Sequence, residues 1–326
     1  MHINNSDYLV TILLVTYNHI NTFEKAINSV FNQKTNFSYQ VIVLDDASND
    51  GTKSLFSKYS SYKNVKFITR EKNLGGILNT YEGLKLINTK YFAVLETDDY
   101  WSDENKLQIQ VDILENNPDC SFCAHNTLIK FTETNRTREY IKSQTGKFGF
   151  PIKKICRKYY IEPHISSRLY RSECLNLNEI KDETVATYDI AINFLYFTKG
   201  NLYYIDKIMS VYNYTSKGIY SGATPQMQRF KSANIIYKLN KEFDFKYNYL
   251  LADFFAKRLN LNFITQLHLK HTNNKEKLNK LYQLALDEYK KDYLSNRDIK
   301  PILKISLPIG KRKDLVFELK REKDRA

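Results

Sequence analysis

Apolar runs alternate with helical patterns over the first hundred residues. Four stretches rich in β-branched and aliphatic side chains predict strands, at 8–15, 40–44, 65–68 and 91–95. Between the strands, apolar residues recur every three or four positions, as at Phe23, Ile27 and Val30, and this spacing predicts helices. Repeated strand–helix units with short connections predict an α/β fold with a mostly parallel, right-handed sheet flanked by helices.

The alternation continues less regularly as far as residue 226. The pattern predicts a helix over 106–116, a strand over 121–131, strand-like sequence over 165–170, a helix from 190 and a strand over 202–214. From 227 onward the apolar spacing is helical only. We therefore predict an α/β domain over 1–226, divided near 117, and an α-helical appendage over 227–326.

Charge is distributed unevenly along the 326 residues. The net charge is +13, with 26 basic against 24 acidic residues in 1–226 and 23 against 12 in 227–326. A nearly neutral main domain argues against nucleic acid as its partner. The basic tail mixes cationic and apolar residues over 300–326, which suits peripheral association with an anionic membrane, although packing against the helical appendage is the stronger interpretation.

The sequence shows neither a membrane-spanning run nor a signal peptide. No stretch approaches eighteen apolar residues, and the polar start of the chain lacks the basic and apolar pattern of a leader. We therefore expect a cytoplasmic protein.

Adjacent carboxylates follow the strand at 91–95, in the run Glu96-Thr97-Asp98-Asp99-Tyr100-Trp101. Ligands of open α/β sheets bind beyond the carboxyl ends of the strands, where Asp98 and Asp99 would lie. Two neighbouring carboxylates repel each other unless they share a cation, and their oxygens suit Mg²⁺ or Mn²⁺ bridging to a diphosphate. An acidic turn that caps the next helix is the alternative.

Polar groups also follow the first and second strands. Thr16-Tyr17-Asn18 ends one and Asp45-Asp46 the other. An aromatic face at Tyr17 and a carboxylate at Asp46 that accepts a base N–H would suit a flat pyrimidine. A turn at 17–18 and an acidic pair leading a helix are the ordinary alternatives.

These motifs together resemble the family 2 glycosyltransferases in order and spacing. The resemblance rests on Val15-Thr16-Tyr17-Asn18, on 44–52, on Arg70 with Asn73-Leu74-Gly75-Gly76, and on 96–101, and it covers about 8–222. It implies the GT-A fold, a nucleotide-diphosphate sugar as donor, a divalent metal and inversion of the anomeric centre. It also implies that 1–117 binds the nucleotide and 118–226 the acceptor.

The resemblance assigns roles by position. Thr16, Tyr17, Asn18 and Asp46 would contact the nucleoside, Asp45 would support that turn, and Arg70 with Asn73 would lie beside the donor. Asp99 would ligate the metal, and Asp98 would face the ribose or the metal. The positions expected to face the donor or acceptor sugar are Gly75, Trp101, His125, Asn126, His164 and Ser166. Core packing is nearly as good an explanation of Trp101 and of His125.

An inverting transfer requires a general base for the acceptor hydroxyl. Tyr188-Asp189, just ahead of a predicted helix, resembles the catalytic acidic position of the family, which makes Asp189 the candidate base. A helix N-terminus keeps a carboxylate ionised, but simple helix capping predicts the same residue type. Asp182 and Glu183 are the reserve candidates.

One departure from the family pattern concerns the end of the strand at 202–214. Many relatives have Tyr-Arg-x-His there, whereas this chain has Tyr212-Asn213-Tyr214-Thr215. The departure puts the metal geometry in doubt, with Lys217 as a substitute charge.

The sequence thus predicts an inverting glycosyltransferase that moves a sugar, from UDP-sugar by preference, to a glycan or lipid-linked acceptor in surface polysaccharide synthesis. The alternatives are a catalytically impaired binding module, favoured by the missing Tyr-Arg-x-His, and a sugar nucleotidyltransferase, for which the expected Gly-rich triphosphate loop is missing near the N-terminus.

Overall fold

The structure of the chain is a computed structural model that describes residues 7–141, 145–149, 162–179, 189–215, 222–261 and 263–294. The chain divides into two compact units, Met1–Gly222 and Ala223–Ala326. The first unit contains the sheet, and the second is helical.

Four parallel strands form one half of the sheet, in the spatial order β3-β2-β1-β4. Their bounds are β1 Val10–Thr16, β2 Tyr39–Asp45, β3 Val65–Thr69 and β4 Tyr91–Glu96. The connections contain α1 Phe23–Phe31, a 3₁₀ helix Thr52–Tyr59 and α2 Gly76–Leu84. The predicted strand and helix pattern is confirmed here, except that the second helical segment has 3₁₀ geometry.

The other half of the sheet is mixed. Its long strands β6 Cys120–Phe131 and β10 Asn201–Tyr214 are parallel, and the short β9 Leu169–Arg171 lies antiparallel between β4 and β6. The remaining elements are β5 Tyr100–Trp101, β7 Thr137–Glu139, β8 Gly146–Phe148, α3 Lys106–Asn116 and α4 Asp189–Lys199. The strand-like reading of 165–170 was wrong in its first half, because Ile165–Ser167 forms a 3₁₀ turn.

Apolar side chains pack on both faces of the sheet. Val10, Ile12 and Leu14 of β1 belong to one core cluster, and Leu13 and Val15 belong to the other. Alternate residues of a strand point to opposite faces, so an uninterrupted apolar strand signals burial on both sides. The register pairs Thr16 with Asp45 and Val15 with Glu96, which aligns the polar strand ends along one edge.

The C-terminal unit consists of helices α5 Pro225–Glu242, α6 Asn248–Leu259, α7 Phe263–His271 and α8 Lys275–Leu294. A buried polar group joins three of them, since the Tyr282 hydroxyl lies 2.8 Å from Oδ1 of Asn248 and the Asn240 amide donates to both residues. In the described segments, no helix has the length and apolar character needed to cross a bilayer. The basic tail at 300–326 lies outside the described residues.

Candidate active site

An acidic cluster lies at the turn that follows β4. Carboxylate oxygens of Glu96, Asp98 and Asp99 all lie within 4.8 Å of one another. Within the described part of the chain, Oδ1 of Asp98 and Oδ2 of Asp99 are buried and have no hydrogen-bond partner. The other oxygen of Asp99 accepts the backbone N–H of Asn213 at 2.9 Å.

The pKa values of two carboxyl groups in this cluster are raised by desolvation and by repulsion from neighbouring carboxylates. Desolvation, followed by repulsion from Asp98 and Asp189, raises the pKa of Glu96 to about 8. Desolvation and repulsion from Asp98 and Glu96 also hold the pKa of Asp99 well above its usual value. Hard carboxylate oxygens that converge without partners fit a divalent cation such as Mn²⁺ or Mg²⁺, so Asp98 and Asp99 lie where the sequence predicted a metal site.

Three further buried polar atoms lie at the carboxyl ends of neighbouring strands. They are Oγ1 of Thr16, the last residue of β1, Oδ2 of Asp45, the last residue of β2, and Nη2 of Arg70, which directly follows β3. None of these atoms has a partner among the described residues. Buried polar groups are nearly always hydrogen-bonded in folded proteins, so three orphans on adjacent strand ends indicate a ligand position.

The Asp46 carboxylate holds the loop that precedes α2. Asp46 accepts the backbone N–H groups of Leu74 and Gly75 at 2.8 and 2.9 Å, and the Asn73 side chain also accepts from Gly75. Gly75 has φ +85°, which favours glycine, and a Cβ there would meet no atom within 4 Å. Asp46 is therefore an anchor of a loop that faces open space.

Tyr17 and Asn18 form the rim of this region. The Tyr17 side chain is 39% exposed, which leaves it available to a flat ligand. Asn18 has φ +55°, and its side chain accepts the backbone N–H of Asn49. Asn18 thus fixes the loop beside the exposed ring.

The candidate base Asp189 is the first residue of α4, and its side chain is 44% exposed. Oδ1 of Asp189 lies 3.7 Å from Nη1 of the fully buried Arg168. Burial raises the pKa of Asp189, while the Arg168 charge opposes that rise. Repulsion from Asp189 is the smallest of the effects that raise the pKa of Glu96 and of Asp99.

His164 and Ser166 lie against the same cluster. Nδ1 of His164 is 2.8 Å from Oγ of Ser166 and 3.8 Å from Oδ2 of Asp99. The ring stacks on Tyr212 with 4.4 Å between centroids. Burial, with a smaller effect from Arg168, lowers the pKa of His164 to about 3, so the imidazole is neutral.

The other predicted sugar-facing residues are buried. Trp101 is 4% exposed, its indole N–H donates to the carbonyl of Ser166, and Lys106 lies over its ring. The indole thus packs in the core, as the alternative explanation had it, and its contact with the sugar stays a prediction.

His125 and Asn126 are also buried, in β6, and their side chains bond within the protein. Nδ1 of His125 lies 2.7 Å from the carbonyl of Asn126, and the Asn126 amide donates to Glu139. Nε2 of His125 is buried without a partner in the described structure, and the role of both residues as sugar contacts stays a prediction.

Sequence reasoning missed three residues of the site. Glu96 received no role although it stands in the acidic run, Asn213 was noted only as a departure, and Arg168 was not singled out. An arginine in an apolar segment is a detectable signal, since a buried guanidinium requires partners. Asp182, Glu183 and Lys217 lie outside the described residues.

Sequence comparison places this site in a known family. The model of "Glycosyl transferase family 2" matches residues 11–174, which is half of the chain. An uncharacterized protein of Mycobacterium tuberculosis is 25% identical over 223 residues, covering 68% of this chain and 63% of that protein. The chain thus spans less than two thirds of the length of its mycobacterial relatives.

A second relative carries a specific name. The Escherichia coli protein WfgD, named a UDP-Glc:alpha-D-GlcNAc-diphosphoundecaprenol beta-1,3-glucosyltransferase, is 34% identical over 113 residues, or 34% of this chain and 43% of WfgD.

Solved structures share the fold at low identity. Staphylococcus aureus TarS, residues 1–349 in complex with UDP, aligns with a TM-score of 0.61 at 15% identity, covering 89% of this chain and 93% of that one. The mannosyltransferase PcManGT from Pyrobaculum calidifontis, in complex with GDP-Man and Mn²⁺, aligns with a TM-score of 0.52 at 12% identity, covering 90% and 91%. These matches confirm the GT-A type of sheet, and with the family match over 11–174 they show that the chain belongs to glycosyl transferase family 2.

Proposed function

We propose that the protein is an inverting, metal-dependent glycosyltransferase. It moves a sugar from a nucleotide-diphosphate sugar, a UDP-sugar by preference, to a hydroxyl of a glycan or lipid-linked acceptor in surface polysaccharide synthesis. The observation that carries the proposal is that oxygens of Asp98 and Asp99 are buried in one carboxylate cluster with Glu96 and have no partner among the described residues. The Asp189 carboxylate, at the first residue of α4, contributes to the raised pKa of Asp99. UDP in the TarS complex and the UDP-glucose donor in the name of WfgD support uracil as the nucleobase of the donor.

Asp98 and Asp99 would hold the Mn²⁺ or Mg²⁺, which supplies positive charge against the departing diphosphate. The strand ends bearing Thr16, Asp45 and Arg70 offer their unpartnered atoms to the nucleotide. The exposed ring of Tyr17 offers a stacking face for the base. Residues 1–117 thereby bind the donor, and 118–226 bind the acceptor.

Asp189 accepts the proton of the acceptor hydroxyl in this proposal. The acceptor oxygen forms a bond to the anomeric carbon from the face opposite the diphosphate, and the bond from that carbon to the phosphate oxygen breaks. A base must be ionised at the start, which the positive end of α4 and the buried Arg168 both favour. The nucleoside diphosphate leaves with the electron pair.

A panel of nucleotide sugars tests the proposal. The full-length protein is mixed with UDP-Glc, UDP-GlcNAc and GDP-Man in Mn²⁺, and nucleotide release and sugar transfer are measured. We expect turnover of a UDP-sugar. Nucleotide binding without turnover of any donor, with acceptors that include undecaprenyl-diphosphate sugars, favours the impaired binding module that the missing Tyr-Arg-x-His motif suggests.

Asp189→Asn tests the assignment of the base. We expect transfer to fall by about 10²- to 10⁴-fold, the usual contribution of general base catalysis, while UDP affinity stays unchanged. Asp182→Asn is the matched control, and a loss in that variant instead would move the base to the reserve position.

The basic tail supports a proposal about location. Its mixture of apolar residues with Lys311, Arg312 and Lys313 suits docking on anionic lipid. Deletion of 300–326 should weaken binding to phosphatidylglycerol vesicles at low salt, and unchanged binding would remove the idea.

A further inference from the structure

The end of β10 stabilises the acidic turn without offering an imidazole. At Tyr212-Asn213-Tyr214-Thr215 the backbone N–H of Asn213 donates to Asp99, and its side-chain amide donates to the carbonyl of Asp98 at 2.5 Å. Asn213 therefore fixes the turn through hydrogen bonds. A nitrogen ligand in place of the missing histidine would come from another segment of the fold.

His164 reaches this position from a different segment. It precedes the 3₁₀ turn Ile165–Ser167, and its ring lies between Tyr212, on which it stacks, and Tyr140, which it meets at 68°. Packing on Tyr212 places the imidazole against the same strand end that carries the motif in relatives. The ring is 7% exposed, so these contacts determine its orientation.

No hydrogen bond joins the imidazole of His164 to the nearest carboxylate oxygen of Asp99. Nδ1 of His164 and Oδ2 of Asp99 are 3.8 Å apart, which is beyond hydrogen-bond distance. Two ligands of one octahedral ion, each about 2.1 Å from it, are separated by about 3 Å and by more where the angle opens. A shortening of less than about 1 Å would bring Nδ1 and Oδ2 to the separation of two ligands of one cation.

We propose that His164 is a nitrogen ligand of the divalent ion held by Asp98 and Asp99. The inference rests on the proposed function, since it concerns the metal of that site. Nδ1 contacts the Ser166 hydroxyl at 2.8 Å and accepts the backbone N–H of Ser166 at 3.4 Å, so a metal bound through Nδ1 would replace these contacts. The Ser166 hydroxyl donates to Ser210 at 3.1 Å and can keep that partner.

An imidazole ligand changes the preference of the site among metals. Oxygen-only sites suit Mg²⁺, whereas imidazole favours later transition metals such as Co²⁺. We expect Mn²⁺ and Co²⁺ to bind more tightly than Mg²⁺. His164→Gln should reduce the affinity for Co²⁺ and Mn²⁺ by about 10- to 100-fold or more, and reduce that for Mg²⁺ less.

Pulsed electron paramagnetic resonance of the full-length Mn²⁺ protein tests the ligand directly. We expect modulation from a coordinated ¹⁴N nucleus, replaced by ¹⁵N coupling when histidine is ¹⁵N-labelled, and lost in His164→Gln. The labelled wild-type protein gives this answer even where the variant folds poorly. His19→Gln is the matched control, because Nδ1 of His19 lies 2.7 Å from the Thr97 hydroxyl in the same turn, and it should keep the nitrogen signal.

The outcomes separate this inference from the proposed function. A Mn²⁺ complex without histidine nitrogen coupling, or with coupling that survives His164→Gln, overturns the role of His164 and leaves the carboxylate site standing. Failure of Mn²⁺ to bind at all, with Asp99→Asn indistinguishable from wild type, overturns the metal-dependent function as well.

Discussion

Two Asp-Asp pairs end parallel strands of this sheet, and the structure uses them differently. Both oxygens of Asp46 accept backbone N–H groups, and one oxygen of its neighbour Asp45 accepts the N–H of Ser48 at 3.2 Å. Oδ2 of Asp45 has no partner in the described structure, and Asp98 and Asp99 also each keep a buried oxygen without one, but these two carboxylates converge with Glu96. Through Asp46 the first pair anchors a loop, whereas the second pair belongs to a carboxylate cluster that suits a cation.

The difference shows what distinguishes a structural carboxylate from a binding one. A carboxylate that accepts backbone N–H groups has its charge solvated by the protein and stabilises the fold. A buried carboxylate without partners beside others destabilises the metal-free fold through desolvation and repulsion. The presence of such a group in the fold indicates that a bound ligand compensates for the desolvation and repulsion. Replacing the carboxylates of each pair by amides tests this.

Asp99→Asn should give the largest effect, on catalysis. The amide keeps the oxygen that accepts from Asn213 but replaces the free oxygen by an NH₂ group, so the metal loses a ligand. Metal ions contribute several kcal/mol to such reactions, so the transfer rate should fall by about 10³-fold or more. Thermal unfolding in chelator serves as the control, and the variant should unfold at or above the wild-type temperature. A wild-type transfer rate would show that Asp99 is not a ligand.

Asp46→Asn should affect stability and leave the metal site intact. The amide nitrogen cannot accept one of the two N–H groups of Leu74 and Gly75, and hydrogen bonds to a charged group are lost. We expect the free energy of unfolding to fall by about 1–3 kcal/mol, as measured by urea denaturation. Mn²⁺ affinity should equal that of wild type, and a large loss of Mn²⁺ binding would erase the distinction between the pairs.

Glu96→Gln should change the pH dependence of stability in chelator. The pKa of Glu96 is about 8 in the folded protein against 4.5 for an ordinary glutamate, so the folded state binds a proton more tightly than the unfolded chain. The contribution of Glu96 to stability therefore falls as pH rises from about 4.5 to about 8. The variant should gain stability relative to wild type over this window, by a few degrees in melting temperature. Parallel melting curves for the two proteins would contradict the shift.

Asp45→Asn should have the smallest effect on the free energy of unfolding. Its carboxylate makes one long bond to Ser48, which an amide oxygen can retain, and its second oxygen has no partner in the described segments. The loss in unfolding free energy should be below about 1 kcal/mol, the value of one ordinary hydrogen bond. A loss as large as that of Asp46→Asn would show that both members of the first pair anchor the loop.

Local sequence was sufficient to predict the longer strands and most of the helices of the α/β unit. Apolar runs such as those of β1 and β4 favour buried parallel strands, because such a strand is apolar on both faces. The convergence of Asp45 and Asp98 on one edge also followed from the sequence, since parallel strands end at the same side of a sheet. The 3₁₀ turn at Ile165–Ser167 was not predictable, because its short apolar pattern also fits a strand.

Side-chain partners were decided by the tertiary structure. Nothing near Trp101 in sequence indicates that its indole bonds to Ser166, 65 positions away, or that Asp46 is bonded to 74–75 while Asp99 is left open. The meeting of His164 with Asp99 is of the same kind. The apolar periodicity of a segment depends on which of its own faces is buried. It was therefore sufficient to predict the strands and helices and the sheet edge at which the acidic residues lie. Which of those residues keep free oxygens depends on groups brought in by distant segments, and only the folded chain fixes that.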